Sequence, residues 1–455
     1  MEFEFGDFGA KAETIEIKQT KDFDRHKRVG AGGSIGYHVL HDGIVYFGAM
    51  DSRFYAVNAE TGKKLWIFHT DDRIVGKASI HEDMIYFGAW DSNIYCLDRH
   101  TGKEVWRTNT GAGIFASSII YQGKLYVGNF NGYVSCIDIE RGDILWQFKT
   151  GKDILATPST FDGKIVIGSF DHNLYCLDAK TGTEVWRFKT GSEVHNDGSP
   201  LVLNGRIYFT SFDNFLYCLD FNGNEIWRFK TGKYGNACCP AEHNGILYHG
   251  SRDGILYALT MDGKEIWRFR CAGMIESPPL FHEDRMYVCS EEGKMYCLDM
   301  DGNELWRFEF SASSYDRPSF YNGKLLVASW DCHLYAVDIN THKEAFRVST
   351  STNKIAEAPP ANESFEAVIR KSADTIDTII SDDKYSTMGQ TLDLSDYGGK
   401  SEYAGKSEYT HKSEYTTDFM IFVNGLHMFE GMMNMPVDGV LDKIQSGPEE
   451  GLNGI

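Results

Sequence analysis

Two adjacent cysteines, Cys238 and Cys239, are the most reactive pairing of residue types in this 455-residue chain. Neighbouring thiols can cycle between dithiol and disulfide, and each thiolate is a nucleophile and a soft metal ligand. The remaining groups with chemical capacity are scattered: Lys77, the run His195, Asn196, Asp197, then Asn236, Glu276 and the step Asp316, Arg317. Together they offer a base, carboxylates and cations to a polar ligand, provided that some architecture brings distant parts of the chain to one place. Asp299 to Glu304, DMDGNE, opens like a calcium loop. It lacks the spaced terminal Glu and occupies the same hairpin as DFNGNE and TMDGKE, so it reads as a turn. No nucleophile stands in a motif with its base, so no catalytic residue and no metal site is assigned.

The architecture is set by a beat of tryptophans. Trp66, Trp106, Trp146, Trp186, Trp227, Trp267 and Trp306 recur at intervals of 40, 40, 40, 41, 40 and 39, and Phe346 follows 40 residues later. A period of this length marks an array of identical supersecondary units. One unit contains KIVIGSF, NLYCLDA and EVWRFKT, each apolar and rich in β-branched and aromatic residues, separated by Asp, Asn or Thr-Gly turns. A fourth, less regular run, LATPSTF (Leu155 to Phe161), precedes them. Four strands per unit form an antiparallel meander that cannot bury its faces alone, whereas eight in a ring can. The expected fold is all-β, an eight-bladed propeller over residues 31–350, with an amino-terminal arm at 1–30 and an acidic extension at 351–455.

Within each third strand one position holds Cys96, Cys136, Cys176, Cys218 and Cys297, but Ala56, Ala258 and Ala336 in the other blades. Exchange of Cys for Ala says that a small side chain is wanted where neighbouring sheets approach, and these thiols are expected to be packing residues.

The phrase LYCLDAKTGTEVWRFKTG (Leu174 to Gly191), echoed by FYAVNAETGKKLWIFHT and IYCLDRHTGKEVWRTNTG, resembles the pyrroloquinoline-quinone-type repeat. That repeat builds quinoprotein alcohol dehydrogenases and also a propeller lipoprotein that helps to assemble outer-membrane proteins. The resemblance implies the fold and leaves the cofactor open. Quinoprotein dehydrogenases place a disulfide between adjacent cysteines against the quinone, and ACCP matches that pairing in residue type. The pair lies on a late blade, and neither the quinone's aromatic floor nor its calcium-binding Glu and Asn matches a motif here. Two reduced core thiols and no cofactor are therefore expected.

Composition narrows the cell biology. The amino terminus, MEFEFGDFGAKAE, has no basic stretch followed by an apolar one, FMIFV at 419–423 is too short to span a bilayer, and ten cysteines lack framework spacing. A cytoplasmic location is expected. The net charge of −20 argues against nucleic acid and against anionic membranes. From Ser351 onward 18 acidic residues face 8 basic ones. This segment carries a helical apolar spacing from Glu363 to Ile380, three KSEY repeats and a Met cluster at 428–435. The run TIEIKQT in the amino-terminal arm is a candidate strand to complete the last blade.

In a propeller the innermost strand lines the central channel. Here it reads GKASI, FASSI, LATPS, VHNDGSP, GNACCP, IESPP and YDRPS in blades two to eight. This directs Lys77, His195, Asn196, Asp197, Asn236, Cys238, Cys239, Glu276, Asp316 and Arg317 toward one axis. Mutual pairing with channel water is one reading and a small-molecule site the other. At the turn between the second and third strands Trp90, Phe130, Phe170, Phe212 and Trp330 are aromatic, with Met50 in the first blade. These turns fall on the face that carries the connectors between blades, where the rings either meet a partner or pack on the next connector. A non-enzymatic scaffold for a protein or peptide partner is the leading expectation. A quinone-dependent oxidoreductase and a channel ligand sensor are the alternatives.

Overall fold

In the computed structural model the described residues are 35–194 and 199–350. The unit read from the sequence forms as expected in blade 4. Lys164–Gly168, Asn173–Asp178 and Glu184–Lys189 are consecutive antiparallel strands. The turn between the last two follows from residue type: Asp178 Oδ1 accepts from the Lys180 and Thr181 amides and from the Thr181 hydroxyl at 3.0, 2.8 and 2.8 Å. Eight such sheets, each of four strands consecutive in sequence, run from Ile35 to Ser349, and no helix occurs among the described residues.

The core is divided among the seams between blades. Each main apolar cluster draws from two neighbours, as Val134, Ile154, Ile167, Tyr175 and Leu177 do for blades 3 and 4. The ring closes in the same way. Ile35, Val45, Phe47, Tyr55 and Val57 of blade 1 pack with Leu326, Leu334, Ala336 and Val348 of blade 8, and Lys324 pairs with Glu60 at 2.5 Å. Blade 8 has its own outer strand, Glu344–Ser349. The TIEIKQT run, the helical spacing after Glu363, the KSEY repeats and the Met cluster lie outside the described residues.

The repeating Trp explains the Thr-Gly dipeptide of the following blade. Gly182 has a φ of +72°, and a Cβ there would meet the Trp146 ring of the preceding blade at 2.6 Å. The Trp146 indole N–H donates to the Ala179 carbonyl at 3.2 Å, so one ring both packs and hydrogen-bonds across the seam. At the closing seam Gly62 meets Phe346, where a Cβ would lie 2.7 Å from the ring. Blade 8 has His342 at the Gly position, stacked on Trp306 at 4.4 Å between centroids.

Opposite each Trp stands the small residue of the third strand, Cys176 facing Trp186 and Ala56 facing Trp66. Burial pushes the Cys96 and Cys176 thiols up to about 12 and the Cys136, Cys218 and Cys297 thiols up to about 11. Immediately after this pair every outer strand carries a β-bulge. In blade 4 Leu177 faces Glu184 while Cys176 faces Trp186, which leaves Val185 unpaired. The bulged residues Leu65, Val105, Leu145, Val185, Ile226, Ile266 and Leu305 are 46 to 53% exposed. An edge strand broken in this way is a poor template for pairing with another sheet.

On the connector face a second contact recurs. Asp171 accepts the Tyr175 hydroxyl at 2.7 Å and the Gly151 amide, from the end of the preceding blade, at 2.6 Å. Asp91, Asp213 and Asp253 repeat it.

The innermost strand departs from its sequence reading. In blade 4 only Ser159–Phe161 is strand, and Leu155 to Pro158 enter it without ladder pairing. Pro158, Pro200, Pro240, Pro279 and Pro318 each stand directly before the first strand residue, and proline has no N–H to give to a ladder. The channel candidates therefore sit on bent entry segments, not on strands.

Two predictions follow from the seams. Gly182→Ala should cost about 2 kcal/mol or more, because its Cβ meets a packed indole. Gly163→Ala, at the same φ of +72° with nothing within 4 Å, should cost about 1 kcal/mol, and denaturant melts separate the two. Cys176→Ala should cost at most about 1.5 kcal/mol and Cys176→Leu more. The native protein should also be slow to react with a thiol reagent at mild alkaline pH, while the denatured chain yields ten thiols.

Candidate functional site

In blades 2 to 8 the entry segments share one register, two residues before the first paired strand position, which holds Lys77, Ser117, Thr157, Ser199, Cys239, Pro278 and Arg317; the corresponding residue of blade 1, Tyr37, lies inside the strand Ile35–His41. Lys77 and Arg317 are exposed while the residues on either side are buried. Lys77 feels the charges of Asp316 and Arg317, on a blade two places away, with the attraction of Asp316 ahead of the repulsion of Arg317. His195, Asn196 and Asp197 lie outside the described residues.

The other candidates are drawn into the ring wall. Asn236 is fully buried, its side-chain oxygen 3.1 Å from the Thr231 hydroxyl and 3.2 Å from His249 Nε2, and burial pulls the His249 imidazole down to about 4. Glu276 pairs with Arg252 at 2.9 Å. Nearby Glu291 has its carboxyl pushed above the usual range, first by burial and then by the charge of Glu276.

Asp316 is buried at the closing seam, its carboxylate in close hydrogen-bond contact with His38 Nδ1. His38 Nε2 lies 2.5 Å from Ser319 Oγ, and Asp316 Oδ2 also accepts the Ala328 amide at 2.9 Å. Carboxylate, imidazole and hydroxyl in this order are the parts of a nucleophilic triad. Their register gives a different account. Ser79 and Ser159, which hold the place of Ser319 in their blades, donate to the Ser118 and Pro200 carbonyls of the next blade at 2.6 and 2.5 Å. His38 stands where Ser118 and Pro200 stand, so at the closing seam an imidazole takes the part of the carbonyl. With His38 only 4% and Asp316 2% exposed, substrate has no approach to the base. Sequence reading missed His38 and Ser319 because blade 1 has no recognisable inner-strand phrase. The available signal was a His where other blades carry Ala, Ser or Pro.

On the connector face the amides of Trp90, Phe130, Phe170, Phe212 and Trp330 donate to the carbonyls of Arg73, Gly113, Asp153, Glu193 and Ser313, at 2.9, 2.9, 3.0, 3.0 and 2.9 Å. This fixes turns and connectors on one face. Phe170 and Trp330 are buried, and Met50, Trp90, Phe130 and Phe212 partly so. Trp90 meets Phe130 edge-on at 5.3 Å beneath the Arg73 guanidinium, Phe212 lies 5.3 Å under Arg252, and Trp330 meets Tyr315 at 4.8 Å. The aromatic that projects is Tyr234, on the connector into blade 6. It is 52% exposed, holds a φ of +84°, and precedes Gly235, which is packed on Phe212.

The family model for the outer membrane protein assembly factor BamB matches residues 16–147, 130–233, 216–299 and 252–375. The chain belongs to this BamB-like, PQQ-type repeat family. Among solved structures it is similar to BamB from Moraxella catarrhalis, at 19% identity and a TM-score of 0.57, over 65% of this chain and 93% of that one. It is also similar to the computationally designed Ika8 protein, at 15% identity and a TM-score of 0.58, over 66% and 94%. No curated protein sequence matches.

Among the described residues the groups that would hold a quinone of the kind implied by the PQQ-type resemblance do not stand together. The axial register supplies no tryptophan floor. No group of three or more His, Cys, Asp or Glu stands together among the described residues to hold the accompanying calcium. Cys238 and Cys239 are buried thiols, with Cys238 Sγ donating to the Cys239 carbonyl at 3.1 Å. No redox step is derived through them.

His38→Ala should destabilise the propeller by about 2 kcal/mol or more, because it leaves the buried Asp316 carboxylate and the Ser319 hydroxyl without their shared partner. Ser319→Ala should cost about 1 kcal/mol. A fluorophosphonate probe should leave Ser319 unmodified in the native protein, and stoichiometric labelling there would identify a nucleophile instead of a clamp.

Proposed function

We propose that this chain is a non-enzymatic binding module that captures a protein or peptide partner on its connector face, with Tyr234 as the anchor. Tyr234 carries the reading. A bulky residue at positive φ is strained, and strain of this kind is kept where the exposed side chain has a use. An aromatic ring raised on a rigid scaffold beside the partly buried Phe212 has the character of an interface anchor. The family description, an assembly factor, is consistent with a partner-binding role. The acidic segment 351–455 is proposed as a second contributor. A reducing compartment such as the cytoplasm suits the ten thiols.

Tyr234→Gly should raise stability by about 1 kcal/mol by relieving the backbone, while weakening partner binding. The measurement is quantitative capture of interacting proteins from the native host, with the full chain, the Tyr234→Ala variant and a chain ending at residue 350. Loss of the same partner in the Tyr234 variant, with the melting temperature maintained, supports the assignment. Equal recovery with Tyr234→Ala removes the connector face from the function.

A further inference from the structure

The connector into blade 6 is held unlike the others. Those into blades 2, 3, 4, 5, 7 and 8 are each fixed by two backbone bonds, as when Ile154 donates to the Asn129 carbonyl and Phe170 to that of Asp153. Neither bond has a counterpart into blade 6 among the described residues. The chain there is one residue longer, ten positions from Thr231 to Ala241 against nine from Thr150 to Ser159, and both Tyr234 and Gly235 have positive φ. Side chains anchor it instead. Asn214 Oδ1 accepts the Gly235 amide at 2.8 Å, the Thr210 hydroxyl donates to the Cys238 carbonyl at 3.2 Å, and Asn236 Oδ1 lies between Thr231 and His249.

Thr210, Asn236 and His249 break the pattern of a seam together. Thr210 stands where blades 1 to 4 have glycine, and Asn236 where other connectors have the Ile or Val that meets it: a Cβ on Gly48 would lie 2.1 Å from Ile74 Cγ2. His249 takes the place of Phe47, Phe87 and Phe209. Asn236 and His249 are both fully buried. Because an amide oxygen only accepts, the imidazole hydrogen is on Nε2, and Nδ1 has no hydrogen-bond partner, nor has Asn236 Nδ2. A second proton on His249 would therefore add a donor without an acceptor and a charge without water. Burial accordingly holds the imidazole at about 4, below its ordinary 6.5, against a smaller opposing pull from Asp253.

The titratable groups of this seam are Tyr208 and Cys218 of blade 5, Tyr257 on the paired strand, Asp253 at its turn, and Cys238 and Cys239 on the connector. The tyrosines and thiols are neutral throughout the acid range. Asp253 is occupied by the Tyr257 hydroxyl and by the Gly232 and Ile255 amides at 2.7, 2.7 and 2.9 Å, and its neighbour Arg252 by Glu276. On the inner strand Glu242 accepts the Gly245 amide and His243 stacks on Phe281.

We propose that His249 and Asn236 form an acid-released latch on the connector that carries Tyr234. Protonation of His249 favours the state in which Asn236 has withdrawn and the imidazole meets water. A buried group whose pKa lies below its ordinary value stabilises the closed state fully above about pH 6.5, and this contribution is lost as the pH falls toward 4. Acid then loosens the connector while the ladders of blades 5 and 6 remain. The consequence for partner capture, weaker binding in acid, rests on the reading of Tyr234 as the anchor.

The test uses Cys238 and Cys239, buried on the same connector, as reporters. The full chain is labelled with dithiodipyridine at pH 7 and pH 5, and each thiol's rate is divided by its rate in the denatured chain at the same pH. From pH 7 to pH 5 the ratio should rise about tenfold at Cys238 and Cys239 and stay constant at Cys176. In His249→Gln, which keeps a donor for Asn236 but does not titrate, and in His249→Phe, which copies blades 1, 2 and 5, the ratios should be the same at both pH values. An unchanged ratio in the parent, a rise shared equally by Cys176, or a rise that persists in both variants overturns the latch. No partner enters this measurement, so it fails or succeeds independently of capture through Tyr234.

Discussion

The tryptophan of one blade lying under the turn glycine of the next is the contact on which the ring depends. A four-stranded meander has two apolar faces and no partner of its own, so its stability is that of its seams. The indole packs against the apolar cluster of a seam and ties down a carbonyl, while the glycine lets the next backbone come close enough for the ring to be covered. Everything at the same level is sized to it: Cys or Ala opposite the indole, and a bulge that ends the regular ladder just beyond. Replacing the indole by Phe346 is tolerated at closure, where Lys324 and Glu60 and the His38–Asp316 pair add polar contacts to the apolar cluster.

Closing the ring also engages much of the chemistry carried by the described residues. The aspartates of the connector face are shared between a tyrosine and the neighbouring blade's amide, Glu276 is taken by Arg252, and the Ser319, His38 and Asp316 constellation is a bridge across the last seam. Among the described residues the exposed aromatic on the connector face is Tyr234.

Blade number, strand order and the packing role of the repeated cysteines were legible in the sequence because a seam imposes the same residue types every 40 positions. The inner-strand residues were less legible. The inner strand is only three residues long in blades 2 to 8, whether or not proline precedes it, so alternation counted along LATPSTF or YDRPS does not say which side chains face the axis. Asp316 shows the consequence, since it shares a phrase with Arg317 yet turns into the seam. Tyr234 escaped notice because its distinguishing property is a dihedral angle, and no residue type advertises φ. His38 escaped because it stands in the blade whose first strand shares least with the rest.

Each sheet is built from strands consecutive in sequence, and Thr350 donates to the Cys332 carbonyl just as Thr150 donates to that of Gly132. Thr150 is five positions before Leu155 on the next blade, and Thr350 stands in the same relation to the start of blade 1. The place where the chain enters the ring is therefore a matter of gene order, not of architecture. A permuted chain that begins at blade 5 and joins 350 to 35 through a few residues keeps all eight seams. Its new ends would fall at an ordinary seam, and the one built around His38 would be spanned by a covalent connector.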